Sequence, residues 1–520
     1  MKKSITRNEW ASLILMLAIL LGVFMRFNVT MLAGFAINDG GMFAVMVDDL
    51  RANGYLIPMF TSYNHFNIPF AYPPLGFYFG ALAVDIFKIT ATQALRWVPA
   101  FFASLSIPAF YFLSLRLFKN KYLASLSTLF FALMPRAFSW FVMGGGLTRS
   151  PGQFFMLLTL FMVLRLYEEN HRADIFWAGL FGGLAVMSHP EAAVHTAVSA
   201  LLFWVMLSRK RSAFIQSAFV GVVVVIVTAP WWGMVIHYHG FQPLLNAAAT
   251  GKKLLAVFHL VFFVFTEEPY ATFIAIFGLI GLAHHLIRRD YLLPLWMAIP
   301  FFVEGRSAAG PAAIPLAMLA AVGFAEILLP ALQAAAKKEA ESSAQVPSIE
   351  RNVFFYLLLY LVFSAYQFGF QLSSATLYPP DQDAMRWVRE NTPQDARFLV
   401  LTGTESVSCD SVMEWFPALT GRQSLFTVQG TEWTKGDQFG PFIQETYDLQ
   451  ACYDEGPSCV GELLDASQYD FVYLSKELRV DNCQPLVPPR TFTYYVEGVR
   501  SNAQYKIVYE TDGAMVYKQR

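Results

Sequence analysis

The feature that most constrains this chain is a series of apolar runs, each long enough to cross a lipid bilayer, recurring from Trp10 to about Gln371. A hydrocarbon core of about 30 Å takes roughly 20 helical residues, and backbone polar groups inside it must be satisfied within the segment, so the runs read as membrane helices. Composition agrees, because 56% hydrophobic and 14% charged residues over 520 positions exceed what one aqueous core can hide. The expected fold is a polytopic α-helical membrane protein with about 11 to 13 membrane helices over residues 1–373, followed by an extracytoplasmic α/β domain over 374–520. A formal charge of −1 gives no basis for nucleic-acid binding. No small-residue cleavage site follows the run after Met1-Lys2-Lys3, so the first segment is expected to stay as an anchor.

Basic residues between the runs set the topology. Lys2, Lys3 and Arg7; Arg116, Lys119 and Lys121; Arg165 and Arg172; Arg209, Lys210 and Arg211; Arg288 and Arg289; and Lys337, Lys338 and Arg351 form one cytoplasmic set. The remaining connections then face outward: a first loop over 28–74, the GGGLTRSPG turn, the SHPEAAVH turn, a long loop over 237–269, the EGRSAAGP turn and the C-terminal domain. A polar linker over 334–351 is cytoplasmic in this reading. Residues 73–90 and 254–266 are also apolar and are expected to be interfacial or partly inserted, although full crossings would give the higher count.

All four cysteines, Cys409, Cys452, Cys459 and Cys483, lie beyond the last run. Two disulfides in one of three pairings are expected, with reduced thiols in a cytosolic domain as the alternative. In the same region PPDQDAMRWVRENTPQDA reads as an amphipathic helix stopped by Asn391-Thr392-Pro393, while FLVLTG, FVYLSK, YKIVYE and AMVYKQR read as strands, the last two a hairpin.

The outward loops carry the candidate chemistry. Asp39 opens INDGGMFAVMVDDLRANGY, where Met42, Phe43, Met46 and Leu50 recur at helical spacing, so it is either that helix's N-cap or a carboxylate displayed over the membrane. Asp48 and Asp49 read as a solvated face or as partners of Arg51. Tyr72-Pro73-Pro74 forces an extended entry into the next apolar segment. Arg149 stands before a helix expected to start at Ser150-Pro151, where free amides favour an anion; the alternative is an arginine snorkelling to lipid headgroups. Glu191 and His195 are four apart and share a helix face, with His189 just before Pro190; they read as bundle hydrogen-bonding groups or, alternatively, as part of a metal site. Arg306 precedes a run of small residues and proline, while Glu267, Glu268, His237 and His239 complete the outward set.

An acid opening the first external loop, a PPL turn entering the next apolar helix, and many spans before an external domain resemble the GT-C glycosyltransferases. The likeness is to the protein mannosyltransferase and aminoarabinose transferase branch. That resemblance implies transfer of a sugar from a polyprenyl-phosphate donor to an acceptor glycan, lipid or protein on the outer face, with inversion. It implies that Asp39 is the catalytic base, that Arg149 and Arg306 hold the donor phosphate, and that His189, Glu191, His195, Glu267, Glu268, Tyr72 and His239 line the cavity. Two departures stand out: Gly40 follows Asp39 where relatives often have Glu, and the GGGLTRSPG turn has no acid. In the external domain, WVRENTPQDARFLVL followed by EWFPALTGR resembles the segment before the WWD signature of archaeal oligosaccharyltransferases, but Glu414-Trp415-Phe416 stands in its place. Glu414, Arg422 and Trp433 are therefore acceptor candidates without implied sequon recognition, and core packing is the alternative for both tryptophans. A divalent metal is not required by the sequence; Asp39, His189 and Glu191 would be its ligands. Two other classes remain open, a flippase or transporter of lipid-linked sugars and a non-catalytic subunit of glycan assembly, the first of which predicts broken helices and two similar halves.

Overall fold

A computed structural model of the chain describes residues 5–249, 257, 258, 260, 272–335, 348–481 and 483–520. The helices begin where local chemistry starts them. Thr6 with Glu9 and Thr90 with Gln93 form capping boxes that open Arg7–Ala33 and Ala91–Phe118. Helices Arg7–Ala33, Ala91–Phe118, Gly146–Glu169, Pro190–Leu207, Arg211–His239, Ala309–Ala335 and Ser348–Ser373 are each long and apolar enough to cross a membrane. Lys121–Leu133 and Pro135–Val142 form an eighth segment bent by 85°, and Leu75–Phe87, Phe273–Ile287 and Leu292–Val303 are shorter apolar helices. Among the described residues, seven helices, or eight with the bent pair, are thus long and apolar enough to cross, and 11 apolar segments are reached only with the three shorter helices, one of them in the 73–90 stretch expected to be interfacial or partly inserted. Leu75–Phe87 has 13 residues, a rise of about 20 Å that falls short of a full crossing, as partial insertion requires. Most of 254–266, the central part of the 334–351 linker, and Glu267 and Glu268 lie outside the described residues.

The bend was not legible in the sequence. Met134 is extended, as a residue before proline tends to be, and the carbonyls at the end of Lys121–Leu133 lose their helical donors. Arg26 of the first helix, fully buried, donates to the Ala132 carbonyl at 2.8 Å and to Gly22 at 3.0 Å. At one end of the bundle Arg116 pairs with Glu168 and Glu169, and Arg165 with Glu169 and Asp174. There the basic residues of two loops expected on one side of the membrane share the same acids. Arg7 pairs with Glu350 at 3.0 Å and lies over the Tyr122 ring.

The C-terminal domain is α/β. Strands β1 (Arg397–Leu401), β2 (Gln423–Ser424), β3 (Phe471–Ser475), β6 (Tyr505–Glu510) and β7 (Ala514–Gln519) form one sheet in the order β2-β1-β3-β7-β6, and β4 (Glu477–Asp481) pairs with β5 (Gln484–Thr491) separately. The first three strands are parallel and β6 and β7 run antiparallel, the expected hairpin. Helix Pro379–Asn391 follows the expected bounds. The disulfides are Cys409–Cys483 and Cys452–Cys459, which selects one of the three pairings.

Candidate active site

Asp39 lies where the 28–74 loop, the glycine-rich turn and the C-terminal domain meet. Helix Gly41–Ala52 takes Gly40 as its N-cap, at φ 118° and with no side-chain cap bond, so Asp39 does not cap the helix it precedes. Its Oδ1 instead accepts the Gly145 amide at 2.7 Å, and its Oδ2 accepts Arg149 Nη2 at 2.9 Å. Helix Gly146–Glu169 starts earlier than the expected Ser150-Pro151, which places Arg149 in its opening turns. The anion favoured by this helix start is therefore the chain's own Asp39. Gly144 makes the approach possible: its amide donates to the Ile37 carbonyl at 2.9 Å, and a Cβ there would overlap the Asp39 carbonyl oxygen. Asp39 keeps 19% of its side chain exposed, so a substrate can still reach the carboxylate.

The C-terminal domain closes the other side. Helix Ser411–Thr420, capped by Asp410, sends Glu414 Oε1 to the Gly40 amide at 2.8 Å, and Trp415 Nε1 donates to the Asn38 carbonyl at 3.1 Å. Asn64 of the first loop exchanges two hydrogen bonds with the Ser424 backbone on β2, at 2.8 and 2.7 Å. Burial, then the nearby Asp39 carboxylate, push Glu414 well above the usual carboxylate range. Glu414 thus points into the first loop instead of an acceptor groove. Arg422 corrects its expected role as well: its buried guanidinium donates to the carbonyls of Arg389, Thr392 and Thr420, which leaves little for a ligand. Trp433 is buried and stacks on Tyr72 with centroids 5.8 Å apart, and Trp415 is fully buried, so core packing holds for both tryptophans.

A second cluster forms beside Tyr72. His189 caps helix Pro190–Leu207, its Nδ1 3.8 Å from Glu191 Oε2, and burial lowers it to about 4, so it is neutral near pH 7. The Tyr72 ring lies 6.0 Å from it, and burial raises the Tyr72 phenol. His195 does not pair with Glu191, since its Nε2 faces Glu304 Oε2 at 3.7 Å. Glu304 was not among the sequence candidates. It accepts the amides of Arg306 and Ser307, each at 3.0 Å, and the Ser307 hydroxyl at 2.5 Å, folding the EGRS turn by a local carboxylate-to-amide pattern that EGRS itself could have signalled. Arg306 is exposed, makes no side-chain hydrogen bond or ion pair among the described residues, and acts electrostatically on Tyr72, His189 and the half-buried Glu432. Glu432 was also missed; its spacing carries no signal, because it reaches the site only through domain docking. His239 Nε2 lies 2.8 Å from the Met59 carbonyl and pins the first loop to helix Arg211–His239.

Among the described residues no three His, Cys, Asp or Glu side chains gather into a metal site. Asp39 pairs with Arg149 while His189 faces Glu191, so Asp39, His189 and Glu191 do not gather around a shared ion and no step is derived through one.

A family model described as dolichyl-phosphate-mannose-protein mannosyltransferase matches residues 71–233, which hold the PPL, GGGLTRSPG and SHPEAAVH segments. No curated protein matches the sequence. Among solved structures, the archaeal oligosaccharyltransferase AglB from Archaeoglobus fulgidus, in complex with an inhibitory peptide and a dolichol-phosphate, is similar with a TM-score of 0.61 at 15% identity, over 90% of this chain and 69% of that one. ArnT from Cupriavidus metallidurans gives 0.56 at 12% identity over 98% of both chains. Arabinofuranosyltransferase AftD from Mycobacteria gives 0.54 at 12% identity over 98% of this chain and 40% of that one. The chain therefore shares the fold of these membrane glycosyltransferases, and its residues 71–233 match the mannosyltransferase family model.

Proposed function

We propose that the protein transfers a sugar from a polyprenyl-phosphate donor to an acceptor hydroxyl outside the cytoplasm, in a single displacement with inversion. The observation that carries this reading is Asp39, a reachable carboxylate held by Gly145 and Arg149 under the external domain. Asp39 accepts the proton of the acceptor hydroxyl as its oxygen attacks the anomeric carbon, while the bond from that carbon to the phosphate oxygen breaks and its electron pair leaves with the polyprenyl phosphate. Arg306, free of partners among the described residues, supplies positive charge to the departing phosphate. Arg149 orients Asp39 through their ion pair and adds positive charge to the same cavity. Neutral His189 and Glu191 line the approach. The two disulfides and the basic clusters support an extracytoplasmic C-terminal domain and a cytoplasmic N-terminus. Support for the lipid-linked donor comes from the relatives: a second ArnT structure, bound to undecaprenyl phosphate, is similar at 14% identity with a TM-score of 0.52.

The transporter reading calls for discontinuous helices in two similar halves. Among the described residues one bent pair is present, at Met134, and Arg26 bridges it through the Ala132 carbonyl. The test compares cells carrying wild type and Asp39→Asn at matched protein levels, with polyprenyl-phosphate sugars and surface glycans measured by mass spectrometry. Accumulation of one lipid-linked sugar with loss of one glycan residue is expected. Unchanged pools would sink the transferase reading.

A further inference from the structure

Helix Gly41–Ala52, which follows Asp39, has no cap of its own, because Gly40 carries no side chain to accept a first-turn amide. The missing acceptor comes from the external domain: Glu414 Oε1 accepts the Gly40 amide at 2.8 Å, and the Met42 amide also bonds the Glu414 carboxylate. On the other flank of Asp39, Trp415 Nε1 holds the Asn38 carbonyl at 3.1 Å. The contact is built into both partners. Tyr63 donates to the Glu414 carbonyl at 2.7 Å, and a Cβ on Gly41 would overlap that same carbonyl oxygen, so only glycine admits this approach. Asp39 is thus gripped through its neighbours on either side by two consecutive residues of one external helix, while its own oxygens are held by the glycine-rich turn.

We propose that Glu414 is a positioning residue for the transfer: by capping the helix that starts behind Asp39 it fixes the aim of the Asp39 carboxylate, so the external domain supplies part of the machinery of the membrane domain. The inference rests on the transferase reading given above. Its physical basis is the steep dependence of rate on alignment, where a shift of about 1 Å at a reacting group can cost on the order of 100-fold. Glu414 needs only its oxygen for this task. A glutamine keeps the acceptor for Gly40 and an alanine removes it.

The test uses the full chain in four forms, wild type, Glu414→Ala, Glu414→Gln and Asp39→Asn, at matched levels in cells. Glycan loss and lipid-linked sugar accumulation are read by mass spectrometry, and folding by the thermal midpoint of the purified proteins. Glu414→Ala is expected to slow transfer by about 10-fold or more with the midpoint near wild type, and Glu414→Gln to recover to within about 3-fold. Wild-type transfer by Glu414→Ala, a loss that tracks loss of folded protein, or a Glu414→Gln no better than Glu414→Ala would each overturn the proposal. Wild-type transfer by Asp39→Asn would instead remove the carboxylate on which the proposed mechanism rests, and no transfer by the wild type would overturn the transferase reading itself.

Discussion

At the scale of single residues, the site is a set of backbone approaches that only certain side chains permit. Asp39 was legible because an acid at a loop opening, before an amphipathic helix, is a short-range pattern. Its partners were not, because Gly145 and Arg149 lie more than a hundred positions away and Glu414 far beyond them. Gly144 gives a sharp check on this geometry. A methyl group there must displace the first loop, so Gly144→Ala is expected to lower transfer by about 10-fold or more at normal protein level, read by the same glycan assay. Wild-type transfer would show that the two loops do not need their present contact. His195 teaches a related lesson: sharing a helix face with Glu191 makes contact possible, yet the imidazole turns to Glu304 on another helix end.

At the scale of elements, two buried arginines serve helix ends. Arg26 meets the carbonyl end of Lys121–Leu133, and Arg422 meets the carbonyls of Arg389, Thr392 and Thr420, at the ends of Pro379–Asn391 and Ser411–Thr420. Terminal carbonyls carry partial negative charge and lack intrahelical donors, so a forked cation suits them. Removing it leaves buried acceptors without partners, at about 1 to 3 kcal/mol each. Arg422→Met is therefore expected to lower the thermal midpoint by several degrees, and Arg422→Lys to recover little of the loss, since an ammonium cannot reproduce the fork. Calorimetry checks this. An unchanged midpoint with weakened acceptor use would return Arg422 to the acceptor site.

At the scale of the whole molecule, the C-terminal domain carries a pH dependence into the assembly. Burial pushes Asp381 up to about 7, against the Tyr473 hydroxyl that donates to it at 2.7 Å, and burial likewise raises Asp410 to about 6. A folded-state pKa above the unfolded value means that the native protein holds the proton more tightly. Its stabilising contribution is full below the ordinary carboxylate range and is lost as pH rises through about 4 to 7, at about 1.4 kcal/mol per unit. The thermal midpoint of the full chain is expected to be higher at pH 5 than at pH 8, and Asp381→Asn to narrow that difference. A gap left unchanged by the substitution would remove Asp381 as its source.

The sequence by itself determined the class of the molecule. Apolar run length and basic-loop alternation report on neighbouring residues and on the bilayer, so they gave a helical membrane part, and strand patterning and four clustered cysteines gave a disulfide-bonded α/β domain beyond it. Hydrophobic periodicity marked the first-loop helix, and the glycine run marked a close approach without naming what approaches. Only the tertiary structure decided the disulfide pairing, the bend at Met134, the turn of His195 toward Glu304, and the contact of the C-terminal-domain helix Ser411–Thr420 with the residues around Asp39. Those contacts join segments separated by as many as 377 positions, and local propensity holds no record of which distant acceptor will meet a glycine cap.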